Sequence, residues 1–393
     1  MKSRYVVFLI LILSVGCTQE RKTILDNNKV KLPKIINLEK LDSISIEYIG
    51  NPTVHDIDPI TGTVLFIEHK EFSEEIFIAD FEGKIHSSFS KMGDVPDGYG
   101  RLMSTLRING KNSFIVYGYK GFITYDFEGK ALSRVKPIDF QVPNYAPITM
   151  GYGLEKIEEK YLYHDQSSPV NNDYSDLNIY WEMHLLNLLN PSTGEKERII
   201  KFPESSIFRN GKYFFRNAWD PVFHLADKKI YVAFGLEPTI YAFNANHPYD
   251  LIFALPINLK GYNYFKGSDG YSSGFSFFGL RFTSGMILNI KKYKDYFVVA
   301  YFPGYNEFDT QTNFENKSLE ESKLFLERMQ KKYPSRIAIV DSTGNVINDF
   351  VPHGLEPSSM LLRDGQLWMM EKSDEEVERE YFRLFRVGLK LEN

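Results

Sequence analysis

Three arginines, Arg101, Arg216 and Arg281, stand close to segments that read as short apolar strands. A guanidinium offers a planar fork of donors that grips a carboxylate two bonds at a time. Three converging forks would hold an anionic sugar or a peptide carboxylate. Asp220, directly behind Trp219, and His353, three residues before Glu356, lie beside other predicted inner strands. His55, Asp56 and Asp58 share one strand, and alternation puts the two aspartates on the same face. A pair of carboxylates at a suitable separation does acid–base work on a glycosidic bond. Nothing in the linear spacing singles out such a pair, so no catalytic residue is assigned. Local ion pairs between neighbouring elements are the plainer reading of the arginines, and turn capping that of Asp56 and Asp58.

The segment from Gly261 to Phe282 carries Tyr262, Tyr264, Phe265, Tyr271, Phe275, Phe277 and Phe278 among several glycines. Aromatic faces suit sugar C–H surfaces and protein hot spots, and glycine lets a partner approach the backbone. The same rings would equally fill a satellite core beneath the loop. Metal chemistry has little support. The eight histidines are dispersed, and no paired Cys/His spacing exists. Asn171-Asn172-Asp173-Tyr174-Ser175-Asp176 is rich enough in oxygen to hold Ca²⁺, but it lacks an ordered EF-hand pattern.

These side chains need a scaffold, and its composition is distinctive. Aromatics make up 15% of the chain, with 31 Phe and 25 Tyr, which favours pleated strands over helices. The net charge of −5 gives no electrostatic case for nucleic acid. Cys17 is the only cysteine, so no internal disulfide staples the fold. It follows a basic start, Met1-Lys2-Ser3-Arg4, and an apolar run from Tyr5 to Leu13. That run is too short to span a bilayer and right for the core of a secretory signal. Leu13-Ser14-Val15-Gly16-Cys17 resembles the lipobox of bacterial lipoproteins, in which the cysteine sulfur is acylated and becomes the new N-terminus. Residues 1–16 would then be a signal peptide and residues 17–34 a lipid-anchored tether, leaving a charge of −7. More than one acyl chain on that terminus gives stable anchoring. No acidic run follows Cys17, which favours the periplasm-facing leaflet of the outer membrane over the cell surface.

Beyond the tether one pattern returns. Ile76-Phe77-Ile78-Ala79-Asp80-Phe81-Glu82-Gly83-Lys84 is a strand closed by an acidic turn, and Phe122 to Lys130 repeats it almost letter for letter. Looser copies stand at His184–Gly194, Ile240–Asn244, Ile337–Gly344 and Phe382–Gly388. Further apolar runs precede each copy. Four short antiparallel strands recurring at roughly 40–60 residues are the mark of a propeller blade. Six copies predict an all-β, six-bladed β-propeller over residues 35–393 as a single domain. Ser43-Ile44-Ser45-Ile46-Glu47-Tyr48 alternates in polarity and is expected to close the ring by adding to the last blade. Ser318-Leu319-Glu320-Glu321 has capping-box spacing, so a helix over about 318–332 should interrupt the fifth blade. Leu319, Phe325, Leu326 and Met329 would form its buried stripe.

The Asp-Phe-Glu-Gly-Lys turns, the lipobox and the loop Gly93-Asp94-Val95-Pro96-Asp97-Gly98-Tyr99-Gly100 together resemble the six-bladed β-propeller lipoproteins of Bacteroidota. That loop is similar to the connections between blades in NHL-type propellers. These motifs specify architecture rather than chemistry. Sialidases share the six blades and the arginine logic, but their Ser-x-Asp-x-Gly-x-Thr-Trp box is missing here. The expected role is therefore binding of a glycan, a peptide or an envelope protein at the axial face. A hydrolase or lyase using an arginine clamp on an anionic glycan is one alternative. A scaffold subunit docking through the blade-five helix is the other.

Overall fold

The computed structural model describes residues 35–70, 73–138, 148–164, 173–272, 274–315, 317–372 and 379–392. Cys17, the segments 1–16 and 17–34, and Asn171-Asn172 lie outside the described residues.

The repeated turns work through two local devices. In the first, Gly83 takes φ +87° and Asp80 Oδ1 accepts the Lys84 amide at 2.9 Å. In the second, Gly129 takes φ +83° and Asp126 Oδ1 accepts the Lys130 amide at 2.8 Å. Glycine meets the positive φ, and the aspartate satisfies the amides that the tight turn leaves over. Hairpins of this kind build six four-stranded antiparallel sheets arranged as a propeller. The innermost strands are Pro52–Asp58, Arg107–Ile108, Glu155–Ile157, Pro221–Ala226, Met286–Tyr293 and Leu361–Arg363.

Ring closure matches the sequence expectation and extends it. Ile35–Glu47 pairs with Tyr381–Glu392 as the outermost strand of the sixth blade. Ile44 and Ile46 are buried there opposite Leu384 and Phe382. The first described strand thus joins the last blade, covering the sheet edges that an open ring would expose.

The core lies between blades rather than within them. One cluster fills each seam. That between blades one and two, for example, joins Leu65, Ile67 and Ile78 to Leu106, Phe114 and Val116. Strands packed on both faces read as continuous apolar runs, which is why Val64-Leu65-Phe66-Ile67 is wholly buried. The seam between blades three and four is the most aromatic. Tyr180, Phe202, Phe208, Phe214 and Trp219 meet there at ring-centroid distances of 4.6–6.4 Å.

Blade five carries the expected insertion between its second and third strands, Tyr296–Phe302 and Arg336–Val340. Helix Leu319–Lys332 opens with a complete capping box, the Ser318 amide donating to Glu321 Oε2 at 2.8 Å. Its buried face is narrower than the sequence suggested. Phe325 and Met329 pack on Tyr305 and Tyr333, but Leu319 and Leu326 are exposed at 89% and 50%. The helix touches the blade along one i,i+4 line, and Leu319 precedes that line while Leu326 points about 100° away from Phe325. A second helix, Glu307–Asn313, was not anticipated; Asn306 caps it by accepting the Asp309 amide at 2.8 Å. Lys332 pins the two helices together through Asp309 at 2.6 Å.

Candidate functional site

Antiparallel alternation puts the connections between blades and the loops joining second to third strands on one face. We call this the upper face. It bears the blade-five helices, the Gly261–Phe282 segment and the loops into every innermost strand.

The axis beneath that face is plugged by charge. Each innermost strand contributes at least one charged or titratable residue to this network: Asp56, Arg107, Glu155, His224, Lys291 and Arg363. A bulge between Val54 and Asp56 lets both His55 and Asp56 line the channel. Arg363 Nη1 lies 3.0 and 2.8 Å from the two Asp56 oxygens, and its Nη2 donates to Ile108 O at 3.0 Å. Arg107 lies 3.1 Å from Glu155, whose other oxygen is 3.7 Å from His224 Nδ1. Lys291 donates to Gly151 O at 2.8 Å and to Asn289 at 2.7 Å. The Arg363, Arg107 and Lys291–Gly151 contacts cross from one blade to another, while the Lys291–Asn289 bond stays within its strand.

Burial sets the charge states of the plug. It pushes Asp56 above the usual carboxylate range, against the pull of Arg363 and then Arg107. Burial acts the same way on Glu155, but Arg107, His224 and Lys291 outweigh it and hold that carboxyl at about 2. Lys291 is pushed down to about 8 by burial, with Glu155 opposing. The cavity left in this channel among Asp56, Arg107, Tyr152 and Glu155 measures about 10 Å³, room for one water at most. These axial charges latch neighbouring blades to one another.

Directly above, a pocket of about 190 Å³ opens among the loops into blades three to six. Tyr152 lines both this pocket and the channel. Burial, and next to it Asp220, raises the Tyr152 phenol well above its ordinary value, so it stays protonated. Its oxygen is 3.1 Å from Nδ1 of His164, which burial pushes down to about 3. Asn217 turns the chain into the pocket with φ +72°, a conformation asparagine tolerates better than most residues. From there its amide donates to Asp220 Oδ2 at 3.0 Å. Arg281 lines the opposite side from the turn Leu280–Phe282, with its guanidinium 5.2 and 5.3 Å from the Phe278 and Phe282 ring centres.

The expected site residues thus separate into groups. Asp220 and Arg281 line one pocket. Arg216 lies beside it, its guanidinium 5.6 Å from the Tyr174 ring, and it shares that phenol's electrostatic surroundings with Asp220. Arg101 is exposed on the connection into blade two and does not line this pocket. His353 is exposed on a turn whose next residue, Gly354, accepts a bond from Lys40 of the closing strand at 3.4 Å. That contact places His353 toward the outer edge of blade six. Asp58 caps its turn by accepting from the Ile60 amide and the Thr61 hydroxyl, at 3.0 and 2.8 Å.

The aromatic segment divides as well. Tyr264, Phe265 and Phe277 pack against the core between blades three and four. Tyr271, Phe278 and Phe282 are exposed at 39%, 40% and 58%. Phe275 opens the short helix Phe275–Gly279. Tyr264 also lines a second pocket, of about 220 Å³. Among the described residues no group of three His, Cys, Asp or Glu side chains is placed to hold a metal ion.

Sequence reasoning missed the axial latch and the pocket's Tyr152 and Asn217. Arg107, Glu155, His224, Lys291 and Arg363 recur on successive inner strands, and that recurrence was the available signal.

No protein-family model matches the chain, and no curated protein matches it in sequence. Solved structures do share its shape. A member of the DUF4221 family from Bacteroides vulgatus superposes with a TM-score of 0.65 at 10% identity, over 92% of this chain and all of that one. A protein of unknown function from Bacteroides caccae gives 0.41 at 12% identity, covering 76% of this chain and 81% of that one. A provisionally named exported protein from Bacteroides fragilis gives 0.48 at 10% identity, covering 91% and 96%. At 10% identity the likeness to the DUF4221 member speaks for the fold alone.

Proposed function

We propose that this propeller is an exported, lipid-anchored binding module that takes a carboxylate-bearing ligand, such as an acidic glycan, at its upper face. One observation carries the reading. The pocket between Asp220 and Arg281 sits over a closed axis and beside the exposed Phe278 and Phe282 rings. A guanidinium held by two rings is preorganised for a carboxylate, and the rings add apolar surface for a sugar face. Asp220, Asn217 and Ser358 supply acceptors and donors for hydroxyls. Asp220 is the one carboxylate among the described residues lining the pocket. Glycosidic hydrolysis normally needs two. Taken by itself, this pocket supplies binding groups but no acid–base pair.

Export and anchoring rest on the basic start, the apolar run Tyr5–Leu13 and the small residue before Cys17. Cys17→Ala should move the protein from the detergent phase to the aqueous phase on phase partitioning. For the ligand, a thermal-shift screen of residues 35–393 against acidic sugars, neutral glycans and short peptides is decisive. A ligand at 100 times its Kd adds about 2.7 kcal/mol. Acidic sugars should raise the Tm and Arg281→Ala should abolish the rise. Stabilisation by neutral sugars alone would refute the carboxylate assignment.

A further inference from the structure

The pocket of Asp220 and Arg281 has a neighbour across a single turn. Arg281 lines the first pocket, and Leu280, from the same turn Leu280–Phe282, lines the second. Backbone bonds fix this wall. The Ser284 amide donates to Leu280 O at 2.8 Å, Gly285 to Asn263 O at 2.6 Å, and Tyr305 to Thr283 O at 2.7 Å.

The two cavities differ in chemistry. The first offers Arg281, whose guanidinium stacks on rings and has no ion-pair partner among the described residues. The second has no cation among the described residues that line it. Asn263, Tyr264, Ser284, Thr310 and Glu307 face it instead. Glu307 would repel a second acid and accept hydrogen bonds from hydroxyls. At about 190 and 220 Å³, neither cavity alone reaches the ~300 Å³ at which small-molecule sites usually begin, while the two together do.

We propose that the two pockets are subsites of one oligosaccharide site, an acidic sugar lying at Arg281 and a neutral one against Tyr264, Ser284 and Glu307. This deepens the proposed function and rests on it. The turn between them would lie beneath the glycosidic linkage, with the exposed Phe282 ring beside it. The order of charge along the ligand follows from the order of charge along the site.

Calorimetric titration tests the assignment with three probes: glucuronic acid, xylotriose, and xylotriose bearing one glucuronic acid. Joining two half-ligands raises the effective concentration of the second, so the joined sugar should bind at least about tenfold tighter than either part. Arg281→Ala should reduce it to the level of xylotriose. Thr310→Phe, which fills the second pocket, should reduce it to the level of glucuronic acid and leave glucuronic acid itself unchanged. Glu307→Ala, at an exposed position, should lower the gain without touching the packing. A joined sugar no tighter than glucuronic acid would overturn the two-subsite arrangement while leaving the carboxylate pocket standing. Binding of an acidic peptide where no sugar binds would overturn the sugar assignment as well. No binding by any probe would remove both.

Discussion

Replacing Arg363 with methionine should unlatch the axis, and its cost follows from the structure. The side chain is only 16% exposed, and its partner Asp56 only 3%. Removing one member of a buried pair costs about 3–5 kcal/mol, because the other charge is left in low dielectric. Methionine keeps most of the apolar stem, and Asp56 retains the amides of Ile57 and Ile108 at 3.0 and 2.7 Å. The lower end, about 3 kcal/mol, is therefore expected. At ~2.1 cal/mol/K of unfolding entropy per residue over the propeller, that lowers the Tm by about 4 °C. The loss should also depend on pH. Burial already raises the Asp56 pKa, and losing Arg363 raises it further. A carboxyl whose folded pKa lies above its unfolded one gives stability that is full below the unfolded value and lost as pH rises through the folded one. The penalty should thus be larger near about pH 8 than near about pH 5. Denaturant titrations at both pH values measure it, and Asp56→Asn/Arg363→Met should cost less than the sum of the single changes. A loss below about 1 kcal/mol near pH 8, or strict additivity, would refute the latch.

Three further outcomes follow from other parts of the ring. Ile46→Ala removes a wholly buried side chain from the closing strand and should cost about 2–5 kcal/mol in denaturant unfolding. The Glu155 carboxyl, held at about 2, contributes stability that is present above its unfolded value of 4.5 and lost as pH falls toward 2. Glu155→Gln should therefore flatten the acid limb of a stability–pH curve between those values. Asp309→Asn removes the charge that holds Lys332 at 2.6 Å. Amide exchange should then quicken in Glu307–Asn313 and Leu319–Lys332 while the blade strands stay protected.

Much of the architecture was legible because the repeat is local. The acidic turns at Asp80–Lys84 and Asp126–Lys130 declare themselves through residue types that only a tight turn requires. The closing strand shows in the alternation of Ser43 to Tyr48, although its first half, Ile35 to Asp42, does not alternate cleanly and gives no such sign. The helix at Leu319 was visible through its capping box. Its buried face was not, because which side of a surface helix meets the blade depends on tertiary contact and not on composition. The site was less legible for a similar reason. Asp220 and Arg281 come together only because the loops into blades four and five fold over the same corner of the ring. Tyr152 gives no local sign that it will roof the channel. The axial charges looked like isolated interruptions of apolar strands, and only sixfold arrangement turns them into a network.

The most direct measurement is the affinity for a glucuronic acid-bearing oligosaccharide in wild type, Arg281→Ala and Arg101→Ala. The account predicts that Arg281→Ala loses binding by about tenfold or more, the scale of one charge-assisted contact. Arg101→Ala, outside the pocket lining, should bind as wild type does. Binding that survives loss of Arg281 and fails with loss of Arg101 would contradict it, and would move the site to another part of the upper face.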